Sequence, residues 1–171
     1  PTRRSSDLEA WGKNLMACIS FAAEEGEEVI VKTSVSAVST AGATLNLQEL
    51  NGMTFDALRE KGVGLWEKEL SKYQIEAKPE VKEAFYTAAY RAALHPFVFQ
   101  DADGQFRGLD KNIEKAEGFT NYTVFSLWDT YRALHPWFNL VHQDVNADIA
   151  NSMLAHYDKS VEKMLPIWSF Y

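Results

Sequence analysis

The sequence has 171 residues, 46% of them apolar and 24% charged, and its formal net charge is −7. The length predicts one domain or one and a half, and so apolar a chain can offset the entropy of ordering, which argues against intrinsic disorder. Because the chain has no basic surplus to displace counterions, a nucleic-acid backbone is excluded as its main partner.

Residue patterns exclude three further features. No apolar run approaches the roughly 20 residues that cross a bilayer, so no membrane span is expected in this piece. Cys18 is the single cysteine, so no internal disulfide can form. No Cys/His cluster has the spacing of zinc ligands.

Aromatic residues are unevenly distributed along the chain. Trp, Tyr and Phe number 5, 7 and 10, and all but five of them lie between Phe85 and Tyr171. Two interpretations stay open: a core filled by large side chains, or a pocket for a ring-shaped ligand.

The N-terminal part contains two different segments. Residues 1–8 (PTRRSSDL) have no signal-peptide pattern and resemble the translation of a sequencing-library adapter, so they are left out of the fold prediction. Residues 17–38 predict two strands, because β-branched residues alternate there after an acidic turn at 24–27. Since two strands cannot form a stable sheet alone, we expect them to border a larger sheet.

Two helices are predicted next. Apolar residues recur at three- and four-residue steps over 55–73, which predicts a helix of about five turns with Thr54 or Asn51 as its cap. A second helix is expected to begin at Pro79, to present a face of small alanines and to end at His95-Pro96.

A long non-helical stretch, 97–123, separates these helices from two others. Connections of this length are usually functional or disordered, and the aromatic residues here argue against disorder. Asp103-Gly104 predicts a hairpin-type turn within it. The third helix is predicted from about Phe125 to His135 and the fourth from about Asn146 to Asp158.

A short internal repeat occurs in the second and third predicted helices. Residues 90–97 (YRAALHPF) and 131–138 (YRALHPWF) lie about 40 residues apart, a spacing typical of stacked helical hairpins in solenoids or closed α/α toroids. In both copies we expect a histidine, His95 or His135, in the last turn of a helix that the next proline ends. A structural role is therefore favoured for both histidines over a ligand role.

Asp101 and Asp103 lie in a sequence that partly matches a calcium loop (DADG, 101–104). An EF-hand requires glycine in sixth position and glutamate in twelfth, whereas here glycine is fourth and the twelfth residue is Asn112. The motif fails and predicts a turn. A ligand-facing carboxylate stays the alternative, because aromatic residues surround the loop.

The most informative stretch is 125–132 (FSLWDTYR). Helical spacing makes Trp128 and Arg132 neighbours and places Asp129 beside them. An aromatic plate can cover the apolar face of a pyranose, while a carboxylate oriented by arginine accepts hydrogen bonds from its hydroxyls. The alternative, a buried tryptophan with an Arg–Asp salt bridge, is favoured by spacing alone.

Other motifs carry less information. Asn121-Tyr122-Thr123 fits the N-glycosylation pattern, which means little outside a secretory context. No Ser/His/Asp order, phosphate-binding glycine loop or dinucleotide fingerprint is present.

Several of these segments resemble one family when they are taken in order. They are 86–96 (YTAAYRAALHP), 101–108 (DADGQFRG) and 125–136 (FSLWDTYRALHP), preceded by Ser36, Ser39, Gly42, Ala43, Asn46 and Leu47. Together they resemble glycoside hydrolase family 92, the bacterial exo-acting α-mannosidases. The resemblance covers nearly everything after Leu8.

The resemblance implies a mainly α fold. N-terminal strands from the edge of a β-sandwich would be followed by the first helical hairpins of an incomplete (α/α)6 toroid. The end of the sandwich is then expected at 9–50, a linker helix at 51–78 and the start of the catalytic toroid at 79–171. Because four helices cannot close such a toroid, we expect the chain to be an internal piece of a longer enzyme.

The resemblance also implies inverting hydrolysis of terminal α-mannosidic bonds, such as α-1,2 linkages, assisted by calcium. Inversion needs one carboxylic acid to protonate the leaving oxygen and a second carboxylate to activate water. The acid, the base and the calcium ligands are expected beyond Tyr171. We therefore predict no catalytic residue and no metal ligand in this chain, and no activity for the chain alone.

The family motif implies roles for three residues. Trp128 and Asp129 would line the subsite for the terminal mannose and Arg132 would support them, with Asp101 and Asp103 as further substrate-binding candidates. The implied partners are mannose-containing glycans, and the family suggests a periplasmic or cell-surface location.

Two alternatives stay open. One is a helical-repeat interaction module whose aromatic stripe binds a peptide or partner helix. The long aromatic stretch and the predicted strands argue against it, because solenoid repeats are regular. The other is a different α/α-toroid carbohydrate enzyme with another sugar specificity.

Overall fold

The structure, a computed structural model, describes residues 13–14, 16, 18, 20, 22–123 and 126–165. The chain divides into two compact units, 1–31 and 32–171. The described part of the first unit contains the predicted acidic turn, in which Glu27 N–H donates to the Glu24 carbonyl at 3.1 Å and Gly26 adopts φ 87°. The segment 1–12 lies outside the described residues.

The strands predicted at 17–38 are wrong where the structure describes them. Residues 22–38 contain no strand, and positions 17, 19 and 21 lie outside the described residues. Ile30, Val31 and Val35 are 63%, 69% and 86% exposed. A strand needs ladder hydrogen bonds to a neighbour, and the described residues supply no partner strand to this segment. The sandwich that it would border stays a prediction.

The first helix, α1, spans Thr40–Leu47 and continues into a 3₁₀ turn, Gln48–Leu50. Its N-cap is Ser39, whose hydroxyl accepts a hydrogen bond from Gly42 N–H at 3.0 Å. Such a cap satisfies one of the N–H groups that the first helical turn leaves without a partner.

The first two predicted helices are confirmed. Helix α2 spans Phe55–Leu70 with Thr54 as its N-cap, and helix α3 spans Pro79–Ala92 with the proline in its first turn. The two helices meet where the rings of Trp66 and Tyr90 lie 4.4 Å apart between centroids.

The stretch 97–123 is non-helical, as predicted, and folds around a short antiparallel pair. Strand β1 spans Gln105–Arg107 and strand β2 spans Ile113–Lys115. The predicted turn precedes β1: Gly104 N–H donates to the Asp101 carbonyl at 2.8 Å, and Gly104 has φ 82°, which suits glycine.

The third predicted helix, 125–135, is wrong. The structure instead has a short helix α4, Leu127–Thr130, and a second helix α5, Leu134–Val141. The backbone leaves helical geometry at Ala133, with φ −130°. Pro136 explains the break, because proline has no N–H to continue a helix but fits a first turn, where no N–H is required.

The two copies of the internal repeat therefore lie at opposite ends of their helices, one at a C-terminus and one at an N-terminus. Residues 90–97 contain the end of α3, whereas 131–138 contain the start of α5. His95 lies beyond its helix, and His135 lies in the first turn of α5 and not in a last turn. The prediction of two equivalent histidine-proline helix ends is wrong.

The fourth predicted helix is confirmed and longer than expected. Helix α6 spans Gln143–Lys159, and His142 joins it directly to α5. The core lies between these two helices, where Phe138 is 4% and Ile149 0% exposed. Partly buried apolar residues surround them: Tyr122, Leu127, Leu134, Trp137, Val145 and Met153.

The described chain is thus mainly helical with one small two-stranded sheet. None of its described helices is both long and apolar enough to span a bilayer. The toroid and the domain boundaries at 50 and 78 stay predictions.

Candidate functional site

A cleft of about 420 Å³ lies between α3 and the segment that contains α4 and α5. This volume is within the range of small-molecule sites. The lining is apolar apart from one carboxylate and one hydroxyl: Phe85, Ala88, Ala89, Ala92, Asp129, Thr130, Ala133, Leu134 and Trp137. The alanine face predicted for the second helix forms one wall, since small side chains leave room there.

The predicted trio Trp128, Asp129 and Arg132 is not brought together in one place. Asp129 lines the cleft, whereas Trp128 and Arg132 do not. Trp128 is 63% exposed. Successive helical residues point about 100° apart, and here Asp129 and Thr130 lie on the cleft side of α4 whereas Trp128 does not. Because α4 ends at Thr130, the i,i+4 relation between Trp128 and Arg132 is also lost.

Arg132 contacts the residue next to it. Its Nε donates to the Tyr131 hydroxyl at 2.7 Å, and its guanidinium carbon lies 5.3 Å from the centre of the same ring. Both side chains lie in exposed positions. The Arg–Asp salt bridge weighed as the alternative is not among the ion pairs of the described residues.

Trp137 is a lining residue that the sequence analysis did not identify. It stacks on Tyr73, with 5.3 Å between ring centroids and 29° between ring planes. The Tyr73 ring also meets Phe85 edge-on at 5.9 Å, and Phe85 belongs to the opposite wall. The repeated HPWF and HPF sequences mark Trp137 as an aromatic residue after a proline, but they do not say which way it faces.

Polar groups beneath this aromatic stack converge on His142. Its Nε2 lies 2.8 Å from the Tyr73 hydroxyl and 3.0 Å from Glu69 Oε1, and Lys72 Nζ lies 3.3 Å from its Nδ1. Because an ammonium only donates, Nδ1 accepts and the proton of the neutral ring resides on Nε2.

Burial is the main cause of the pKa shifts of His142 and Tyr73. It lowers the pKa of His142, a shift that the Glu69 charge opposes and the Lys72 charge reinforces. Burial, and then the Glu69 charge, raise the pKa of the Tyr73 hydroxyl, while a hydrogen bond from Trp137 opposes that rise. Both pKa shifts favour the neutral forms of His142 and Tyr73.

Asp101 is an anchor within the protein. It is 4% exposed, and its carboxylate accepts hydrogen bonds from Ser36 Oγ at 2.6 Å and from Asn46 Nδ2 at 2.8 Å. The Asn46 side-chain oxygen in turn accepts from Ala102 N–H at 2.8 Å. Asp103 is exposed and binds the N–H and the side chain of Gln105. Neither aspartate lines the cleft.

Arg107 forms a second connection between the segment before α1 and the stretch 97–123. Its Nε and Nη2 donate to the carbonyls of Ala37 and Val38 at 2.6 and 3.1 Å, and its Nη1 donates to the Lys111 carbonyl at 2.7 Å. Two positions of the family resemblance near α1, Ser36 and Asn46, are thus hydrogen-bond partners of the aromatic stretch, 97–123.

Asn121 is not accessible for glycosylation, since it is 0% exposed and its amide donates to the Phe99 carbonyl at 2.8 Å.

The residues next to Asn121 are hydrogen-bonded to α6. Ser152 Oγ accepts from Tyr122 N–H at 2.9 Å, and His156 Nε2 lies 3.4 Å from the Tyr122 carbonyl. Burial lowers the pKa of His156, while the hydrogen bond to that carbonyl opposes the shift.

The described residues do not fit a calcium ion. No three His, Cys, Asp or Glu side chains converge in the part of the chain that the structure describes. Ca²⁺ requires six to eight oxygen ligands, whereas the carboxylate of Asp101 is already engaged with Ser36 and Asn46. No chemical step is therefore routed through a metal here.

Residues 42–171 match the sequence model of the glycosyl hydrolase family 92 catalytic domain. A family GH92 α-mannosidase from Bacteroides thetaiotaomicron is 80% identical over 80% of this chain, with a TM-score of 0.77. The chain covers 18% of that enzyme, which has also been solved in complex with mannoimidazole. A second structure from the same organism, an inverting mannosidase of the family, is 26% identical over 78% of this chain and 18% of its own, with a TM-score of 0.70. No curated protein matches the chain.

Proposed function

Because the chain belongs to glycosyl hydrolase family 92, we propose that it is part of an enzyme that removes terminal α-linked mannose by inverting hydrolysis. The observation that carries the proposal is the 80% identity to an α-mannosidase that binds mannoimidazole. An inverting relative with the same local fold supports the stereochemical outcome.

The chain would contribute part of the pocket for the terminal mannose. Asp129 carries this role, because it is the one acidic residue in the lining of a cleft that is otherwise apolar apart from Thr130. A carboxylate accepts hydrogen bonds from sugar hydroxyls, while apolar walls suit the C–H face of a pyranose. Trp128 and Arg132 would act at the exposed surface beside it.

The catalytic pair would come from other parts of the enzyme. Inversion needs two carboxyl groups about 6.5–9.5 Å apart. Among the described residues that line the cleft, Asp129 is the one carboxylate. The calcium ion that the family implies would likewise be held elsewhere, and the substrates would be mannose-containing glycans met in the periplasm or at the cell surface.

A graft tests the proposal. Residues 42–171 replace the corresponding segment of the 80% identical α-mannosidase, and release of mannose from an α-mannoside is followed with the product anomer identified by NMR. We expect an active, inverting hybrid, and no turnover by the 171-residue chain alone. In the hybrid, Asp129→Asn should lower kcat/KM about 100-fold, in line with the loss of a charged hydrogen bond to the sugar worth about 3 kcal/mol.

Matched controls make the result specific. Asp103→Asn changes an exposed aspartate outside the cleft and should leave kcat/KM unaltered. A folded hybrid without mannosidase activity, or turnover by the isolated chain, would contradict the proposal.

A further inference from the structure

We infer that His135 is a positioning residue for the reaction, because its ring holds α4, and with it Asp129, against α5 and α6. The inference rests on the proposed function, since it takes Asp129 as a residue that contacts the sugar. His135 itself does not line the cleft and acts through Thr130, which does.

Helix α4 is too short to fix its own direction. It has four residues, Leu127–Thr130, and helices shorter than about 12 residues are marginal without tertiary contacts. The backbone leaves helical geometry at Ala133, so α5 does not continue α4 as one rigid rod. The direction of Asp129 therefore depends on the side-chain contacts that α4 makes with its surroundings.

Two contacts, one at each end of α4, supply such support. At its start, Leu127 packs against the buried core between α5 and α6. At its end, Thr130 Oγ1 lies 3.0 Å from His135 Nε2. Asp129 lies between these two points in the sequence, so the contacts together set the direction of its side chain.

The other side of the His135 ring is anchored in α6. Its Nδ1 lies 3.1 Å from Asn146 Oδ1, and Asn146 Nδ2 donates to Asn139 Oδ1 of α5 at 2.7 Å. Because an amide oxygen only accepts, Nδ1 carries a proton and donates it. The ring thus joins a one-turn helix to the two helices that enclose the core.

The contact with Thr130 does not require a particular charge on the ring. With Nδ1 protonated, Nε2 of the neutral ring accepts from the Thr130 hydroxyl, whereas Nε2 of a protonated ring donates to Oγ1. The same Oγ1 lies 3.1 Å from the Ser126 carbonyl, so a neutral ring shares the single hydroxyl proton with that carbonyl. A substitution is therefore needed to break the link between α4 and α5.

Two amide substitutions in the grafted α-mannosidase separate the two contacts. The side-chain nitrogen of glutamine reaches the place of Nε2 and that of asparagine the place of Nδ1. His135→Gln therefore keeps the bond to Thr130, and His135→Asn keeps the bond to Asn146. We expect His135→Asn to lower kcat/KM about tenfold, the equivalent of one hydrogen bond, and His135→Gln to stay within about threefold of the unmutated hybrid.

Two further measurements separate positioning from support of the fold. Each variant loses one hydrogen bond, so the midpoints of urea unfolding should shift by similar amounts. The inhibition constant of mannoimidazole should rise in His135→Asn and not in His135→Gln. In a Thr130→Val background, which lacks the hydroxyl, His135→Asn should lower kcat/KM by less than about twofold, because coupled residues are not additive.

His95→Asn is the matched control, because His95 is an exposed histidine that also precedes a proline. It should leave kcat/KM unaltered. If kcat/KM of His135→Asn is not the lower of the two, or if its urea midpoint falls in parallel, His135 only supports the fold and the inference is wrong, although the enzyme remains a mannosidase. An unmutated hybrid without mannosidase activity would instead refute the proposed function, and this inference with it.

Discussion

Gly42 allows α1 to approach Asp101 of the stretch 97–123 closely. A Cβ at this position would lie 2.0 Å from Asp101 Oδ2 and 2.8 Å from Ser36 Oγ. Both atoms belong to the buried hydrogen-bond network of Asp101, so neither can move without breaking it. Glycine is required here for close approach, and not for its backbone angles.

Gly42→Ala should therefore destabilise the protein by about 1–3 kcal/mol, the usual cost of overpacking. The free energy of unfolding in urea measures the effect. Gly64→Ala is the matched control: Gly64 lies within α2 with no atom within 4 Å of an added Cβ. It should stabilise the protein by about 0.5–1 kcal/mol, since alanine favours the helix. Equal effects of the two substitutions would contradict the packing argument.

At the scale of elements, local signals predicted the helices whose ends depend on local chemistry. Thr54 caps α2 and Pro79 begins α3 as expected, because a side-chain cap and a proline in a first turn act within a few residues. The break between α4 and α5 was missed, because Pro136 can either end one helix or begin another. The alternation of β-branched residues at 22–38 did not suffice to predict a strand, since a strand also requires a hydrogen-bonded partner.

The attachment of the aromatic stretch to α6 depends on Ser152, which is 1% exposed. Its hydroxyl accepts from Tyr122 N–H and donates to the Asp148 carbonyl at 2.8 Å. Ser152→Ala leaves the Tyr122 N–H buried without that acceptor and should cost about 1–3 kcal/mol in the free energy of unfolding. Ser71→Ala, which removes an exposed hydroxyl at the end of α2, should change it by less than about 0.5 kcal/mol. Similar losses for both would refute the assignment.

At the scale of the whole molecule, two buried histidines link stability to pH. Burial lowers the pKa of both His142 and His156 in the folded state. The unfolded chain, with ordinary values near about 6.5, therefore binds more protons than the folded chain just below that pH. Stability is fully present above about pH 6.5 and falls as the pH drops below it, until the folded-state pKa values are passed.

Urea unfolding at pH 7.5 and pH 5.5 checks this expectation. His156→Gln should reduce the difference in unfolding free energy between the two pH values, because one of the two linked protons is removed. His95→Gln changes an exposed histidine and serves as the control. An unchanged difference in the His156 variant would show that its burial does not contribute to the pH dependence.

The sequence by itself determined the family, the helices α2, α3 and α6, and Asp129 as the polar candidate, because ordered motifs, periodicity and caps are local properties of the chain. Only the tertiary structure decided the surroundings of these residues. It left Trp128 outside the cleft that Asp129 lines, placed Trp137 in the lining with Tyr73 stacked on it, and made the buried Asp101 a hydrogen-bond partner of Ser36 and Asn46. The direction of a side chain depends on where its helix ends and on what packs against it, and those contacts join residues far apart in the sequence.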